Sequence, residues 1–322
     1  MAAARPTATV LRRAPRLLPA LAKGVLTGIG KRPRPDAALP GTRLVQPAVR
    51  ADPAKVAAYA QVCGFRADGT LPVTYPHITG FPLAARLMSA RGFPLPLLGL
   101  VHTGIEIRQW DALRVADALE LTVYAEELRA HRRGTEAVLI TEARRDGVLV
   151  WCDRSSYLAR HRVPEAHRAT VETADGGGAR PAGPPPHTTW QLAADLGRRH
   201  AAVSGDYNPI HLHPLTARPL GFPRAIAHGM WTFARCAADA VPPGAGPLRI
   251  GAEFRAPVLL PATVSYGRRD EAGSGSGSGA GSGSNSGGSC VFQLSGGGAG
   301  DGGAGRVHLD GWLEVEGREA TG

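Results

Sequence analysis

The same pattern occurs twice along the chain, and this internal repeat constrains the fold more than any other feature. Residues 104–108 (GIEIR) match residues 251–255 (GAEFR), and residues 62–64 (VCG) resemble residues 203–205 (VSG). In each half, an apolar segment with helical character precedes a group of strand-like segments. We therefore expect two related units in one chain.

The strand-like segments alternate apolar and polar residues or run through β-branched residues, and turn residues separate them. In the first half they are 101–108, 118–131, 136–145 and 148–157, and in the second 248–255, 262–268, 290–294 and 307–315. The apolar helices are expected at 78–90 and 228–240. Each half is thus predicted to be one helix with an antiparallel meander, which makes the chain an α+β protein.

Glycine and proline mark the boundary between the halves, because residues 173–187 can continue neither a helix nor a sheet ladder. The predicted domains are a basic N-terminal extension at 1–40, a first repeat at 41–165, a linker at 166–186 and a second repeat at 187–317. Two glycine-rich stretches, 273–288 and 296–305, lack the side chains that offset ordering entropy. We expect them to be loops inside the second repeat.

Charge and cysteine content limit the partners. The formal net charge of +10 favours anionic partners. The basic residues are spread along the chain and are not interleaved with aromatics, so we expect no nucleic-acid surface. A coenzyme A phosphate or an acidic acyl carrier protein suits the charge. The four cysteines are far apart in sequence, which predicts neither a zinc site nor a disulfide framework and favours a cytoplasmic location.

The first 35 residues are basic and contain no acidic residue. Pro15, Pro19 and Lys23 interrupt their apolar stretch, so an export signal is not expected, and no 18-residue apolar segment predicts a membrane span. We expect a partly ordered extension that either lies over its own domain or contacts an acidic surface.

The residue types best suited to catalysis are concentrated in residues 204–211 (SGDYNPIH) and residues 226–230 (IAHGM). Turn residues alone explain much of this composition. They do not explain an Asp and a His five positions apart around an Asn-Pro turn. Asp206 and His211 can transfer protons in the hydration of an unsaturated thioester, and the backbone N–H of Gly229 at a helix start suits a developing oxyanion. Asn208 and Pro209 can hold the loop between them.

These residues resemble the signature of the MaoC-like, (R)-specific enoyl-CoA hydratases. Residues 75–77 (YPH), 101–103 (VHT) and 127–134 (ELRAHRRG) are similar to the first half of actinobacterial double hot-dog 3-hydroxyacyl-thioester dehydratases. The resemblance implies a double hot-dog fold, in which two repeats, each a long helix wrapped by a curved antiparallel sheet, pack as a pseudodimer. It also implies reversible hydration of trans-2-enoyl thioesters to (R)-3-hydroxyacyl thioesters, carried on coenzyme A or acyl carrier protein.

In that resemblance Asp206 and His211 are the acid/base pair, Gly229 is the oxyanion donor, and no metal or redox cofactor is implied. Ser204 is expected to serve as a cap or loop hydrogen-bond partner, and His228 to help position the loop. His211, His213 and His228 could also suggest a metal site, but no Cys or paired carboxylate completes the set in sequence, so no metal site is expected.

The two halves differ in one respect that places the chemistry in the second. Only 12 residues lead from Phe65 to His77, whereas 22 lead from the matching Asp206 to His228. The first half therefore lacks the Asn-Pro-His segment and is expected to bind the acyl chain, with Phe81 and Leu87 as pocket residues. Ordinary core packing is the alternative role for both. His77 and His102 are expected to be structural.

Two other functions are compatible with the same sequence features. A hot-dog thioesterase would share the fold, and a non-catalytic acyl-thioester-binding subunit of a dehydratase complex would share the first repeat's character. An internal pseudodimer can also stand alone or pair again as a homodimer.

Overall fold

The computed structural model describes residues 7–164, 182–271, 288–296 and 305–316. The chain forms two compact units, each assembled from separate stretches of sequence. Unit 1 takes its described residues from Met1–Arg50, Tyr75–Ile105 and Asp117–Ala182, and unit 2 from Ala51–Thr74, Glu106–Ala116 and Gly183–Gly322. The domains predicted from sequence are continuous, whereas two short segments of the first half belong to unit 2.

The described residues form helices and strands with the following bounds. The helices are α1 Leu17–Gly28, α2 Pro53–Cys63, α3 Tyr75–Met88, α4 Leu196–Ser204, α5 Pro214–Ala217 and α6 Gly229–Ala240. The strands of the first half are β1 Thr7–Val10, β2 Thr42–Arg50, β3 Val101–Gln109, β4 Ala118–His131, β5 Gly134–Arg145 and β6 Val148–Arg160. Those of the second half are β7 Pro186–Leu192, β8 Leu248–Phe254, β9 Ala262–Glu271, β10 Ser289–Gly296 and β11 Arg306–Val315.

In unit 1 the strand order is β1-β2-β4-β5-β6-β3. Consecutive antiparallel hairpins join β4, β5 and β6, β2 is antiparallel to β4, and β1 is parallel to β2. Helix α3 packs on this sheet through Leu83, Leu87 and Met88, whose side chains are almost fully buried. Burying each such side chain contributes about 1.5–3 kcal/mol, so this apolar face fixes the helix on the sheet.

The N-terminal extension lies over unit 1, which is one of the two alternatives that the sequence left open. The hydroxyl of Thr27 donates to the carbonyl of Ser89 at 2.9 Å. Just beyond α1, the ammonium of Lys31 donates to the carbonyls of Ala90 at 3.1 Å and Leu95 at 3.2 Å. These bonds satisfy backbone acceptors just after the end of α3, where a helix leaves its last carbonyls without partners.

In unit 2 the strand order is β8-β11-β10-β9-β7, with each neighbouring pair antiparallel. Helix α6 packs on this sheet, and α2 packs against α4. Both α2 and α4 end at a glycine in the left-handed conformation, Gly64 with φ 84° and Gly205 with φ 76°. A side chain would be strained there. The matching segments VCG and VSG therefore lie at the same structural feature, the C-terminus of a helix.

The predicted helices and strands are all present, with small shifts at their ends. The meander prediction needs the same correction in both halves: β3 follows β6 instead of lying beside β4, and β8 lies beside β11 instead of β9. The strands β1, β2 and β7 were missed, and Pro186 of the predicted linker begins β7, where it pairs with Gly267. The rest of the linker up to residue 181, and nearly all of the stretches 273–288 and 296–305, lie outside the described residues. No described helix is long and apolar enough to cross a membrane.

Candidate active site

The loop after α4 is built from short polar side chains that each cap the backbone two residues ahead. Ser204 Oγ accepts from the Asp206 N–H at 3.2 Å, and Asp206 Oδ1 accepts from the Asn208 N–H at 3.1 Å. Asn208 Oδ1 then accepts from the Ile210 N–H at 3.4 Å and begins the 3₁₀ turn Pro209–His211. This succession of turns fixes the backbone between Asp206 and His211.

His211 is oriented by a bond from its own ring to the backbone. Its Nδ1 lies 2.8 Å from the carbonyl oxygen of Ile226, so Nδ1 carries the proton and donates it. The lone pair is consequently on Nε2, which makes that atom the basic one. The turn that carries His211 also lies close to α4, because a Cβ at Gly197 would be 1.8 Å from the His211 carbonyl oxygen. Only glycine permits this approach without a shift of the backbone.

His228 joins the loop to the start of α6. Its Nε2 donates to the backbone carbonyl of Asp206 at 2.9 Å and lies 3.8 Å from Asp206 Oδ2. Its ring stacks on His211, with centroids 3.7 Å apart and planes at 24°. The His228 carbonyl accepts from the N–H groups of Trp231 and Thr232, so this residue caps the helix.

Gly229 is the first residue of α6, directly after His228. The first N–H groups of a helix have no acceptor within the helix and lie at the positive end of its dipole. A Cβ at Gly229 would lie 3.3 Å from the ring of Phe254, so the glycine also lets β8 come close. The helix start can thus offer a backbone donor to a negatively charged oxygen.

Burial dominates the electrostatics of the two histidines. It lowers the pKa of His211 to about 3, with neighbouring His228 lowering it further and the Asp206 carboxylate opposing the change. Burial likewise lowers the pKa of His228 to about 4, against the opposing bond to the Asp206 carbonyl. Both imidazoles are therefore neutral near pH 7, so Nε2 of His211 is unprotonated and keeps its lone pair.

Asp206, His211 and His228 each have a possible ligand atom within 4.8 Å of the others. Two imidazoles and a carboxylate are ligand types that zinc accepts. His213 is not part of this set: it is exposed, and its Nδ1 accepts from the Leu215 N–H at 3.2 Å to cap α5. In the observed set, two of the ring nitrogens, His211 Nδ1 and His228 Nε2, already face backbone carbonyl oxygens.

His200 is a further buried residue beside this site that was not predicted from the sequence. This residue lies on α4 and is 1% exposed, and its ring centroid is 4.5 Å from that of His228. Its Nδ1 is 3.4 Å from Ser204 Oγ. The signal that could have found it is its position four residues before Ser204, which puts the two side chains on one helix face.

The two residues predicted to bind the acyl chain lie in unit 1. Leu87 is 3% exposed and belongs to the apolar core, and Phe81 is partly buried against the same core. Core packing, the alternative role, is thus observed for Leu87. Pocket lining by Phe81 and Leu87 stays a prediction.

The first repeat carries a different arrangement at its helix start. His77 Nδ1 lies 2.6 Å from Asp153 Oδ2, and both side chains are buried. The ring of His102 stacks on His77 at 5.7 Å and on Tyr157 at 4.6 Å. Both histidines thus have buried contacts inside unit 1, as expected of structural residues.

Comparison with known proteins places this site in a family. Residues 179–269, which include the loop after α4 and most of unit 2's helices, match the family model described as MaoC like domain. A curated protein of Mycobacterium tuberculosis, 3-hydroxyacyl-thioester dehydratase X, is 37% identical over 231 residues, which cover 72% of this chain and 81% of that protein.

Solved structures support the same family. The crystal structure of HtdX from Mycobacterium tuberculosis has a TM-score of 0.66 and 30% identity, covering 86% of this chain and 100% of that one. Another Mycobacterium tuberculosis protein, described as having a double hotdog fold, has a TM-score of 0.53 and 12% identity over 85% of this chain and 96% of its own, a likeness of fold alone. The chain therefore has the double hot-dog fold and belongs to the family of MaoC-like dehydratases.

Proposed function

We propose that this chain is a hydro-lyase that dehydrates 3-hydroxyacyl thioesters and, in reverse, hydrates trans-2-enoyl thioesters. The name of the 37% identical relative supports the reaction class. The observation that carries the proposal within the molecule is the neutral His211, whose Nδ1 is bound to the Ile226 carbonyl and whose Nε2 is left as a base beside the Asp206 carboxylate.

In hydration, the Asp206 carboxylate accepts a hydrogen bond from water and holds it beside His211. Nε2 of His211 takes a proton from that water as its oxygen bonds to the β carbon of the enoyl thioester. The electron pair of the double bond moves onto the thioester oxygen, where the Gly229 N–H stabilises the charge. The imidazolium then returns its proton to the α carbon, and dehydration follows the same steps in reverse.

The finer features of the proposal follow from the family resemblance. The product is the (R)-3-hydroxyacyl thioester, its carrier is coenzyme A or acyl carrier protein, and the first repeat binds the acyl chain through residues that include Phe81 and Leu87. Ser204, Asn208, Pro209 and His228 hold the loop that presents Asp206 and His211. Pairing of two chains as a homodimer belongs to the same proposal.

A spectrophotometric assay tests the function directly. Trans-2-enoyl-CoA substrates of graded chain length are mixed with the chain, and loss of the conjugated thioester absorbance is followed together with release of free thiol. We expect absorbance loss without thiol release, and Asp206→Asn, which keeps the shape of the side chain, should remove it. Thiol release would indicate a thioesterase, and tight binding without turnover would indicate a non-catalytic subunit; either result overturns the proposal.

The stereochemistry has its own readout. The hydrated product is passed to a dehydrogenase specific for one 3-hydroxyacyl enantiomer, or is separated by chiral chromatography. Exclusive (R) product is expected. Exclusive (S) product would contradict the resemblance on which this feature rests.

A further inference from the structure

A row of buried imidazoles in unit 2 ends at the proposed base. His211 stacks on His228 with centroids 3.7 Å apart, and His228 is followed by His200 at 4.5 Å. The exposed fractions of the three residues are 7%, 2% and 1% in that order. The third ring has no part in the mechanism above, yet it is buried like the other two.

The far side of His200 is covered by α2. The fully buried ring of Tyr59 lies 6.1 Å from His200, and the Tyr59 hydroxyl is hydrogen-bonded to Thr74 Oγ1 at 2.8 Å. On its own helix His200 faces the hydroxyl of Ser204. This tyrosine and serine therefore leave little room beside the ring of His200.

Two polar atoms inside the row have no hydrogen-bond partner among the described residues, His200 Nε2 and His228 Nδ1. A proton added at either atom would place a charge where no acceptor solvates it, and burying an uncompensated charge is costly. The ionisable groups that face the row are Asp206 beside His211 and His228, and the Tyr59 hydroxyl beyond His200. Burial together with His228 and His211 keeps the pKa of His200 well below its ordinary value.

We propose that His200 is a positioning residue: its ring occupies the space behind His228, excludes water from the stack, and thereby holds His211 in one orientation and in its neutral form. His200 contacts neither the substrate nor the reacting atoms in this proposal. The inference rests on the proposed role of His211 as the base.

The test compares substitutions of His200 that either empty or keep filled the space behind the His228 ring. His200→Ala removes the ring, whereas His200→Phe keeps an aromatic ring without its nitrogens. A matched control is His308→Phe, which replaces a buried histidine of β11 whose Nδ1 lies 3.2 Å from the Ala256 carbonyl. The ratio of kcat/KM at pH 5.5 to that at pH 7.5 is measured for each, with circular dichroism confirming the folded state at both pH values.

For the wild type, His200→Phe and His308→Phe we expect a ratio near one, because His211 stays neutral throughout. In His200→Ala, water reaches the stack and the pKa of His211 moves toward its ordinary value. The ratio should therefore fall at least twofold, with a larger change in kcat than in KM. If His200→Ala does not fold, His200→Asn serves as the variant that opens the space.

A second measurement needs no substrate. With histidine labelled by ¹³C at Cε1, the imidazoles that titrate between pH 5 and 7.5 are counted by NMR. The wild type and His200→Phe should show the same number, and His200→Ala at least one more. An unchanged number and an unchanged activity ratio in His200→Ala overturn the inference, as does a His200→Phe variant that behaves like His200→Ala. An inactive wild type overturns the proposed function instead and leaves the titration to test His200.

Discussion

At the scale of single residues, the site depends on which nitrogen of each imidazole carries the proton. The Ile226 carbonyl holds the proton on Nδ1 of His211, and the Asp206 carbonyl holds it on Nε2 of His228. One ring therefore exposes a base, while the other ties the Asp206 loop to the helix start. Two histidines of the same buried stack thus have different roles because their backbone partners differ.

The substitution of His211 by glutamine tests whether His211 is the one of the two histidines that acts as the base. His211→Gln keeps a polar side chain but lacks a basic nitrogen, so kcat/KM for enoyl thioester hydration should fall by about 10²–10⁴-fold, the usual contribution of a positioned acid or base. The thermal midpoint, followed by circular dichroism, should change little by comparison. His213→Asn, an exposed position on the same loop where Asn can still cap α5, should retain activity. Comparable losses in both variants would argue against His211 as the base.

At the scale of elements, the close approach of α4 to the turn Pro209–His211 depends on one glycine. Gly197→Ala would place its Cβ 1.8 Å from the His211 carbonyl oxygen, so either the helix or the turn must move. We expect a loss of stability of about 1–3 kcal/mol, typical of overpacking, and a kcat/KM at least tenfold lower, because His211 moves with the turn. Chemical denaturation and the hydration assay measure the two effects.

Gly246→Ala provides the matched control, since nothing lies within 4 Å of a Cβ at that position. It should leave both activity and stability near those of the wild type. A Gly197→Ala variant as active and as stable as Gly246→Ala would show that the approach of α4 does not constrain the site.

Helix α3 allows the two roles of the first repeat to be separated. Leu87→Ala removes a core side chain and should cost about 2–5 kcal/mol of unfolding free energy, and a shift in the acyl chain length that reacts fastest would show that Leu87 also lines the pocket. Phe81 is only partly buried, so Phe81→Ala should cost less stability and shift the preference toward longer chains. Turnover of short and long enoyl thioesters, measured together with the melting temperature, distinguishes pocket lining from core packing. A chain-length profile unchanged in Phe81→Ala would leave the helix as scaffold only.

The individual strands and helices also show which features could be predicted from the sequence and which could not. Strand β4 was predicted with its observed bounds, Ala118–His131, because its side chains alternate clearly between apolar and polar. Strand β2 was missed because Pro47 and the polar residues around it weaken the alternation, and its pairing with β4 is irregular between Gln46 and Val49. His200 was missed because its position four residues before Ser204 places both side chains on one helix face but does not show that this face is buried. Its contacts come from His228 and Tyr59, which are distant in sequence.

At the scale of the whole molecule, buried neutral histidines couple stability to pH. Unfolded, His211 and His228 would regain an ordinary pKa of about 6.5, whereas the folded values are about 3 and about 4. Between these limits the unfolded chain binds more protons than the folded one. The stabilising contribution of each histidine is therefore complete above pH 6.5 and is lost as the pH falls toward the folded pKa.

Chemical denaturation at pH 7.5 and pH 5 measures this loss. Each of the two histidines should lower the free energy of unfolding by about 2 kcal/mol at pH 5. The variant His211→Gln should lose about 2 kcal/mol less than the wild type over the same interval. Equal losses in the two proteins would mean that His211 is not held neutral by the fold.

The place of α2 in unit 2 has an evolutionary consequence. This helix is encoded before the linker, yet its residue Tyr59 covers His200, and its Val62 carbonyl accepts a hydrogen bond from Trp231 Nε1 at 2.9 Å. If the gene were split at the linker, the polypeptide that carries the second repeat would lack α2. Its row of buried imidazoles would then lose the cover that Tyr59 provides. Selection that acts on the catalytic loop must therefore also preserve a helix more than a hundred residues upstream, in the half that lacks the Asn-Pro-His segment.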